Sequence, residues 1–284
     1  MARDLSALTP CQRIERSIQK KYRDTLWGPF ITGVKQYALI RPGDRICVCI
    51  SGGKDSMLLA KLLQLLQRNS DFPFELRFLV MDPGYAPENR QRILDNAALL
   101  EIPVTVFDSD IFAVANGAEK NPCYLCARMR RGYLYKFARE LGCNKIALGH
   151  HFSDVVETTL MGLLYGAQIQ AMLPKLHSRN YPGMELIRPM YCVHEDAIIA
   201  WKNYNHLRFL QCACRFTDTC TTCNPDGAAR SKRQVIKQLI AKLSEENPQV
   251  VMNIFRSVEN IKLNKIISYK LDGEVHSFLD GYND

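Results

Sequence analysis

Residues 46–50, Ile-Cys-Val-Cys-Ile, form an unbroken apolar run that ends at Ser51-Gly52-Gly53-Lys54-Asp55-Ser56. This junction constrains the fold more than any other stretch. A buried strand that turns on glycines into a helix builds an anion site. The glycines let backbone N–H groups approach oxygen anions, and the helix adds its partial positive N-terminus. Lys54 supplies a point charge, and Ser51 and Ser56 supply hydroxyl donors. Met57, Leu58, Leu59, Leu62, Leu63, Leu65 and Leu66 give the helix at 56–68 a broad apolar face. The string is not a Walker A loop, which places four residues between its first glycine and its Gly-Lys pair. An ordinary tight turn leaves the lysine and the two serines without a reason.

Apolar runs at 76–81, 103–108 and 145–148 read as further strands, with helical stretches at 87–101 and 127–141 between them. Alternating strand and helix predicts an α/β fold, an open parallel sheet with right-handed crossovers and helices on both faces. Ligands in such sheets sit at the carboxyl ends of the strands. Ser51, Asp82, Gly149 and His150 all fall at those ends. Asp82 reads in two ways, as an acceptor for a nucleotide hydroxyl or amine, or as the turn residue before Pro83-Gly84. Residues 8–38 read as a basic helical segment, with Arg13, Arg16, Lys20, Lys21 and Arg23 either solvated or facing RNA. A short strand at 185–188, helices at 194–206, 228–243 and 248–263, and a weak hairpin around Asp272-Gly273 complete the chain. Three segments follow: 1–40, helical and basic; 41–210, the α/β body; 211–284, a cysteine-rich loop and a helical end.

The 284 residues suffice for a sizeable core. No apolar run approaches the roughly 20 residues of a membrane span, and the first residues lack the apolar core of a signal peptide. A cytoplasmic protein with no membrane partner is the expectation. The net charge of +8 is compatible with a polyanionic partner. Eleven cysteines are many for such a chain. Cys47 and Cys49 lie inside an apolar strand and read as small hydrophobes, and Cys11, Cys143 and Cys192 are isolated. Cys123 and Cys126 form a C-x-x-C, and Cys212, Cys214, Cys220 and Cys223 lie close together. Thiolates so spaced hold metals or clusters.

Cys123-Tyr-Leu-Cys126-Ala-Arg128-Met-Arg130-Arg131-Gly132 places two thiols at the start of a helix that then presents three arginines. Thiolate pKa falls at helix N-termini and near cations, and the arginines suit phosphate oxygens. After the strand at 145–148 comes Gly149-His150-His151-Phe152-Ser153-Asp154. Asp154 stands to cap a helix beginning near Val155 or to help hold Mg²⁺ at nucleotide phosphates. The two histidines touch nucleotide or fill a turn, and nearby residues supply no third ligand for zinc.

The string SGGKDS after a strand resembles the PP-loop of ATP pyrophosphatases, which cleave ATP between the α and β phosphates. With it come C-x-x-C-x-R-x-R-R-G, KIALGHHFSD, LYGAQIQAMLPKL, IRPMYC, a late C-x-x-C and SKRQVIKQLI, in that order. Over residues 12–240 the chain is similar to the tRNA 2-thiocytidine synthetase (TtcA) family. The resemblance implies a Rossmann-type PP-loop body that binds ATP through Ser51, Gly52, Gly53, Lys54, Asp55, Ser56, Asp82, Gly149 and His150. It implies adenylation of C2 of a cytidine, at tRNA position 32, and displacement of AMP by sulfur. Cys123, Cys126, Arg130 and Asp154 are the implied catalytic residues. ATP and Mg²⁺ are implied, with a [4Fe-4S] cluster on Cys123, Cys126 and Cys220. The implied partners are tRNA, a sulfur donor (a cysteine desulfurase system or free sulfide) and a second copy in a homodimer. The chain departs from the family at Ser153, where a second acid is common, and in the added Cys212-Ala-Cys214. Other readings are a 2-thiouridine or lysidine synthetase type, or a zinc-bound ATP- and RNA-binding protein without sulfur transfer.

Overall fold

Strand β1 (Arg45–Ile50) is buried along all but its first residue, as its continuous apolar sequence requires of a strand covered on both faces. The computed structural model describes residues 8–116, 122–210, 232–280 and 282, with the side chains of 115–116 and 122–124 excepted. It divides into two units, Met1–Val155 with Leu173–Ser231, and Val156–Met172 with Lys232–Asp284.

The first unit begins with helix α1 (Pro10–Gln19), a five-residue π turn at Arg23–Trp27 and α2 (Gly28–Gln36). The single helical segment expected over 8–38 is thus broken once. Thr9 and Gln12 form a reciprocal capping box that starts α1. After β1 come α3 (Lys54–Arg68), β2 (Glu75–Asp82), α4 (Pro87–Leu99) and β3 (Val104–Asp108). Helices α5 (Ile111–Asn116) and α6 (Pro122–Glu140) follow, then β4 (Lys145–Ala147) and α7 (Phe152–Gly166), whose first residues belong to this unit. Strands β5 (Lys175–His177) and β6 (Glu185–Ile187) and helix α8 (Glu195–Tyr204) complete it.

The sheet order is β3-β2-β1-β4-β6-β5. The first five are parallel, as expected, and β5 adds an antiparallel edge against β6. The order turns outward from β1 in both directions, so the crevice at the carboxyl ends of β1 and β4 is the switch point of the sheet. Lys145 fixes the opposite end. Its buried ammonium meets Asp44 at 2.8 Å, Glu185 at 2.9 Å and the Leu39 carbonyl at 2.9 Å. Three donors thus meet three acceptors, the condition under which a buried cation is tolerated.

Helix α1 docks by the same device. Ile14 and Ile18 enter the core, and Glu15 reaches the buried Lys61 of α3 at 2.6 Å and Arg68 at 2.7 Å. Lys61 also donates to the Leu100 carbonyl at 2.8 Å.

The second unit holds the rest of α7, helices α9 (Lys232–Glu246) and α10 (Val250–Ser257), and a hairpin of β7 (Ser268–Leu271) and β8 (Glu274–Ser277). The hairpin turns on Asp272 and Gly273, both at positive φ, as the Asp-Gly pair predicts. Arg233 of α9 pairs with the buried Glu157 of α7 at 2.9 Å. Among the described residues no helix is long and apolar enough to cross a membrane.

Candidate active site

The turn between β1 and α3 is held by its own serines. Ser56 Oγ accepts the Ser51 N–H at 3.1 Å, lies 3.2 Å from Ser51 Oγ, and donates to the Gly53 carbonyl at 3.0 Å. Gly52 has φ +83, and a Cβ there would lie 2.6 Å from Ile93 Cγ1. Its carbonyl accepts the Leu210 N–H at 3.1 Å. Gly149 approaches from β4, where a Cβ would lie 3.1 Å from the Asp55 carbonyl carbon and the Ser56 nitrogen. Only glycine permits both the fold of the turn and the closeness of the two strand ends.

Lys54 is half-buried. Its ammonium lies 3.1 Å from Asp55 and 3.2 Å from Glu195, the first residue of α8. Burial disfavours the charge, but the two carboxylates outweigh it and raise the Lys54 pKa. Asp55 Oδ1 is buried, with the Lys54 ammonium at 3.1 Å but outside hydrogen-bond geometry, and His151 Nε2 at 3.8 Å. Asp154 Oδ2 accepts the His151 N–H at 3.0 Å. Helix α7 starts three residues before the expected Val155, so Asp154 sits inside its first turn and reaches back to the residue before the helix.

Part of this constellation opens on one cavity of about 440 Å³, while Gly52, Gly53, Lys54 and Glu195 stand behind its lining. Ser51, Ser56, Asp55, Gly149, His150 and Asp154 give it a polar side. Ile50, Met81, Leu134, Ile146 and Leu148 give it an apolar one, and Arg130 and Arg131 enter from α6. A pocket with an apolar slot and convergent phosphate donors suits a nucleotide.

Other expected residues lie elsewhere. Asp82 is buried and does not line the cavity. Its Oδ1 accepts the N–H groups of Gly84 at 2.8 Å and Tyr85 at 2.6 Å, and its Oδ2 meets Arg90 at 2.9 Å, which is the work of a turn residue. Cys123 stands in the first turn of α6 and Cys126 one turn on, buried at the core. Cys220, Cys212, Cys214 and Cys223 lie outside the described residues, among which no group of three metal-ligating side chains occurs. Two residues escaped sequence reasoning. Glu195 is 141 positions from the lysine it holds. Arg188 lies at the end of β6, where burial and the nearby Arg131 push its guanidinium down to about 10 against the pull of Tyr191, Tyr135 and Asp154. The motif IRPM was its only signal.

A glycine turn at the switch point of a parallel sheet, built from SGGKDS rather than a Walker string, defines a PP-loop nucleotide-binding domain. The PP-loop domain model matches residues 13–215. A tRNA-cytidine(32) 2-sulfurtransferase of Coxiella burnetii (strain RSA 493 / Nine Mile phase I) is 36% identical over 245 residues, covering 84% of this chain and 90% of the relative. One from Geobacter sulfurreducens is 35% identical with the same coverage. The chain belongs to the tRNA-cytidine(32) 2-sulfurtransferase family. The fold also matches the U34-tRNA thiolase NcsA from Methanococcus maripaludis, solved with its [4Fe-4S] cluster. That match has a TM-score of 0.63 at 19% identity, over 83% of this chain and 79% of that one.

Proposed function

We propose that this chain is a cytoplasmic ATP-dependent tRNA sulfurtransferase acting on cytidine 32. One observation carries the reading: Ser51, Asp55 and Ser56 of the phosphate loop, Asp154, and Arg130 and Arg131 of the Cys123-x-x-Cys126 helix line a single cavity. The Gly52–Gly53 turn and the α3 N-terminus receive the phosphates of ATP. Lys54, held ready by Asp55 and Glu195, offers its charge to them. Asp55, whose buried Oδ1 faces the Lys54 ammonium at 3.1 Å, and Asp154 offer the carboxylate oxygens that would hold a Mg²⁺ to neutralise the departing pyrophosphate once Lys54 turns to the phosphates.

The cytidine O2 attacks the α-phosphorus. An O–P bond forms, the bond to pyrophosphate breaks, and Arg130 and Arg131 face the charge that develops. A sulfur nucleophile then attacks C2, and AMP leaves with the former O2. Cys123, Cys126 and Cys220 would hold a [4Fe-4S] cluster, which would supply the sulfur-binding chemistry, the sulfur itself coming from a desulfurase system or free sulfide. The activated base needs this order, because oxygen on C2 is a poor leaving group until it carries phosphate.

The test is nucleoside mass spectrometry of tRNA incubated with anaerobically purified protein, ATP and sulfide. The wild type yields 2-thiocytidine. Lys54→Ala loses ~10²–10³-fold of the rate, the scale of removing one stabilising donor from a preorganised site, with its iron content unchanged. Thiolation retained in this variant refutes the phosphate-loop assignment.

A further inference from the structure

A second concavity of about 750 Å³ lies in the first unit between α1 and the turn that follows α8. Arg13, Arg16, Lys20 and Lys21 line it from one side, and His206 and Arg208 from the other. Neither Asp nor Glu is among its lining residues. Arg13, Arg16 and Lys20 recur at helical spacing and form one exposed stripe. The acid of the same helix, Glu15, turns the other way to Lys61 and Arg68. Among the described residues no carboxylate pairs with Arg13, Arg16, Lys20, Lys21 or Arg208. The groove floor is built, not frayed: Asn96 donates to the Arg208 carbonyl at 3.1 Å, and Asn205 to Ser17 Oγ at 3.1 Å. The Lys21 ammonium stands 3.9 Å over the Tyr204 ring.

A solvated basic helix face has counter-charges around it and no partner across a groove. Here cations from two segments nearly 190 positions apart converge without acids, and their mutual repulsion disfavours the fold unless an anion answers it. Helix α8 relates the groove to the phosphate loop. Glu195 at its first position touches Lys54, and Tyr204 at its last lines the groove. Ten helical residues span roughly 15 Å. An RNA with one base at the nucleotide cavity has phosphates at that distance.

We infer that this groove holds the sugar–phosphate backbone of the tRNA substrate away from the modified base. The inference rests on the tRNA reading above. A chain of phosphates, unlike a single anion, needs several cations spread over such a length.

The test is the variant R13Q/R16Q/K20Q/R208Q, measured for binding of unmodified tRNA across salt concentrations and for thiolation. We expect tRNA affinity to fall at least tenfold at ~0.1 M salt, and the log–log salt slope to shrink by about 2–4, one step of ~0.9 or less per lost phosphate contact. The tRNA KM rises while kcat and ATP affinity stay within about twofold, since the groove does not touch the reacting atoms. The charge-keeping variant R13K/R16K/K20R/R208K retains affinity and slope, which separates lost charge from lost fold. If the wild type thiolates tRNA and the neutral variant shows the same affinity, slope and KM, the groove has another occupant and the inference fails alone. If the wild type binds no tRNA, the proposed function fails with it.

Discussion

At the residue scale, Gly52 carries the sharpest consequence. Its positive φ and the 2.6 Å approach of a Cβ to Ile93 predict that Gly52→Ala costs about 2–4 kcal/mol, combining left-handed strain with overpacking. Urea unfolding measures that cost, and ATP binding is lost with it. Full ATP affinity in the variant would show that the turn does not hold the phosphates. The glycines, Lys54 and both serines were legible from sequence, because local backbone chemistry dictates them. Asp82 was legible as a strand-end acid only. Its choice between nucleotide and turn depends on where the Gly84 and Tyr85 N–H groups and Arg90 come to rest. Glu195 was not legible at all, since nothing local announces a carboxylate that reaches Lys54 from 141 positions further along the chain.

At the element scale, helix α1 and the start of the sheet are pinned by buried lysines. Lys61→Met leaves Glu15 with Arg68 alone and is expected to cost about 3 kcal/mol, the scale of breaking a buried pair. Acid has the same target. Burial alone would raise the carboxyl of Glu15, but hydrogen bonds from Lys61 and Arg68 hold it below its usual 4.5. Burial is likewise outweighed at Asp44 by Lys145, Asn144 and the Arg41 N–H, which hold it below 3.8. Both groups bind fewer protons folded than unfolded. The stability they give is complete above about pH 5 and falls away as pH drops below about 4. Urea midpoints at pH 7 and pH 3.5 should differ for the wild type, and by less in Lys61→Met; equal losses would place the acid sensitivity elsewhere. Strands β1, β2, β3, β4 and β6 were legible from their apolar runs. Strand β5 was not, because one half-buried and two exposed residues carry no periodicity and pair only once β6 is in place. The break at Arg23–Trp27 was equally hidden, since a π turn depends on the docking of Leu26 and Phe30 in the core.

At the scale of the whole molecule, activation and sulfur delivery are separable. Cys123→Ala should lose iron and its visible absorbance after anaerobic purification, yet keep ATP affinity, because the phosphate loop is held by Ser51, Ser56, Glu195 and Leu210, none of them on α6. Unchanged iron would show that the ligand set is wrong, and a colourless zinc protein would end the cluster reading. The order of motifs made the α/β body and its chemistry legible together. The division into two units was not, because the boundary falls inside α7, where sequence sees one uninterrupted helix.

The Leu210 bond and the Ile93 contact at Gly52 also bear on timing. The turn takes its curvature from the core on one side and from the chain after α8 on the other. Its disorder is surrendered during folding, long before nucleotide arrives. ATP therefore meets a finished mould and loses little affinity to ordering. Its capture should follow a single bimolecular phase, linear in concentration, with no slower rearrangement behind it.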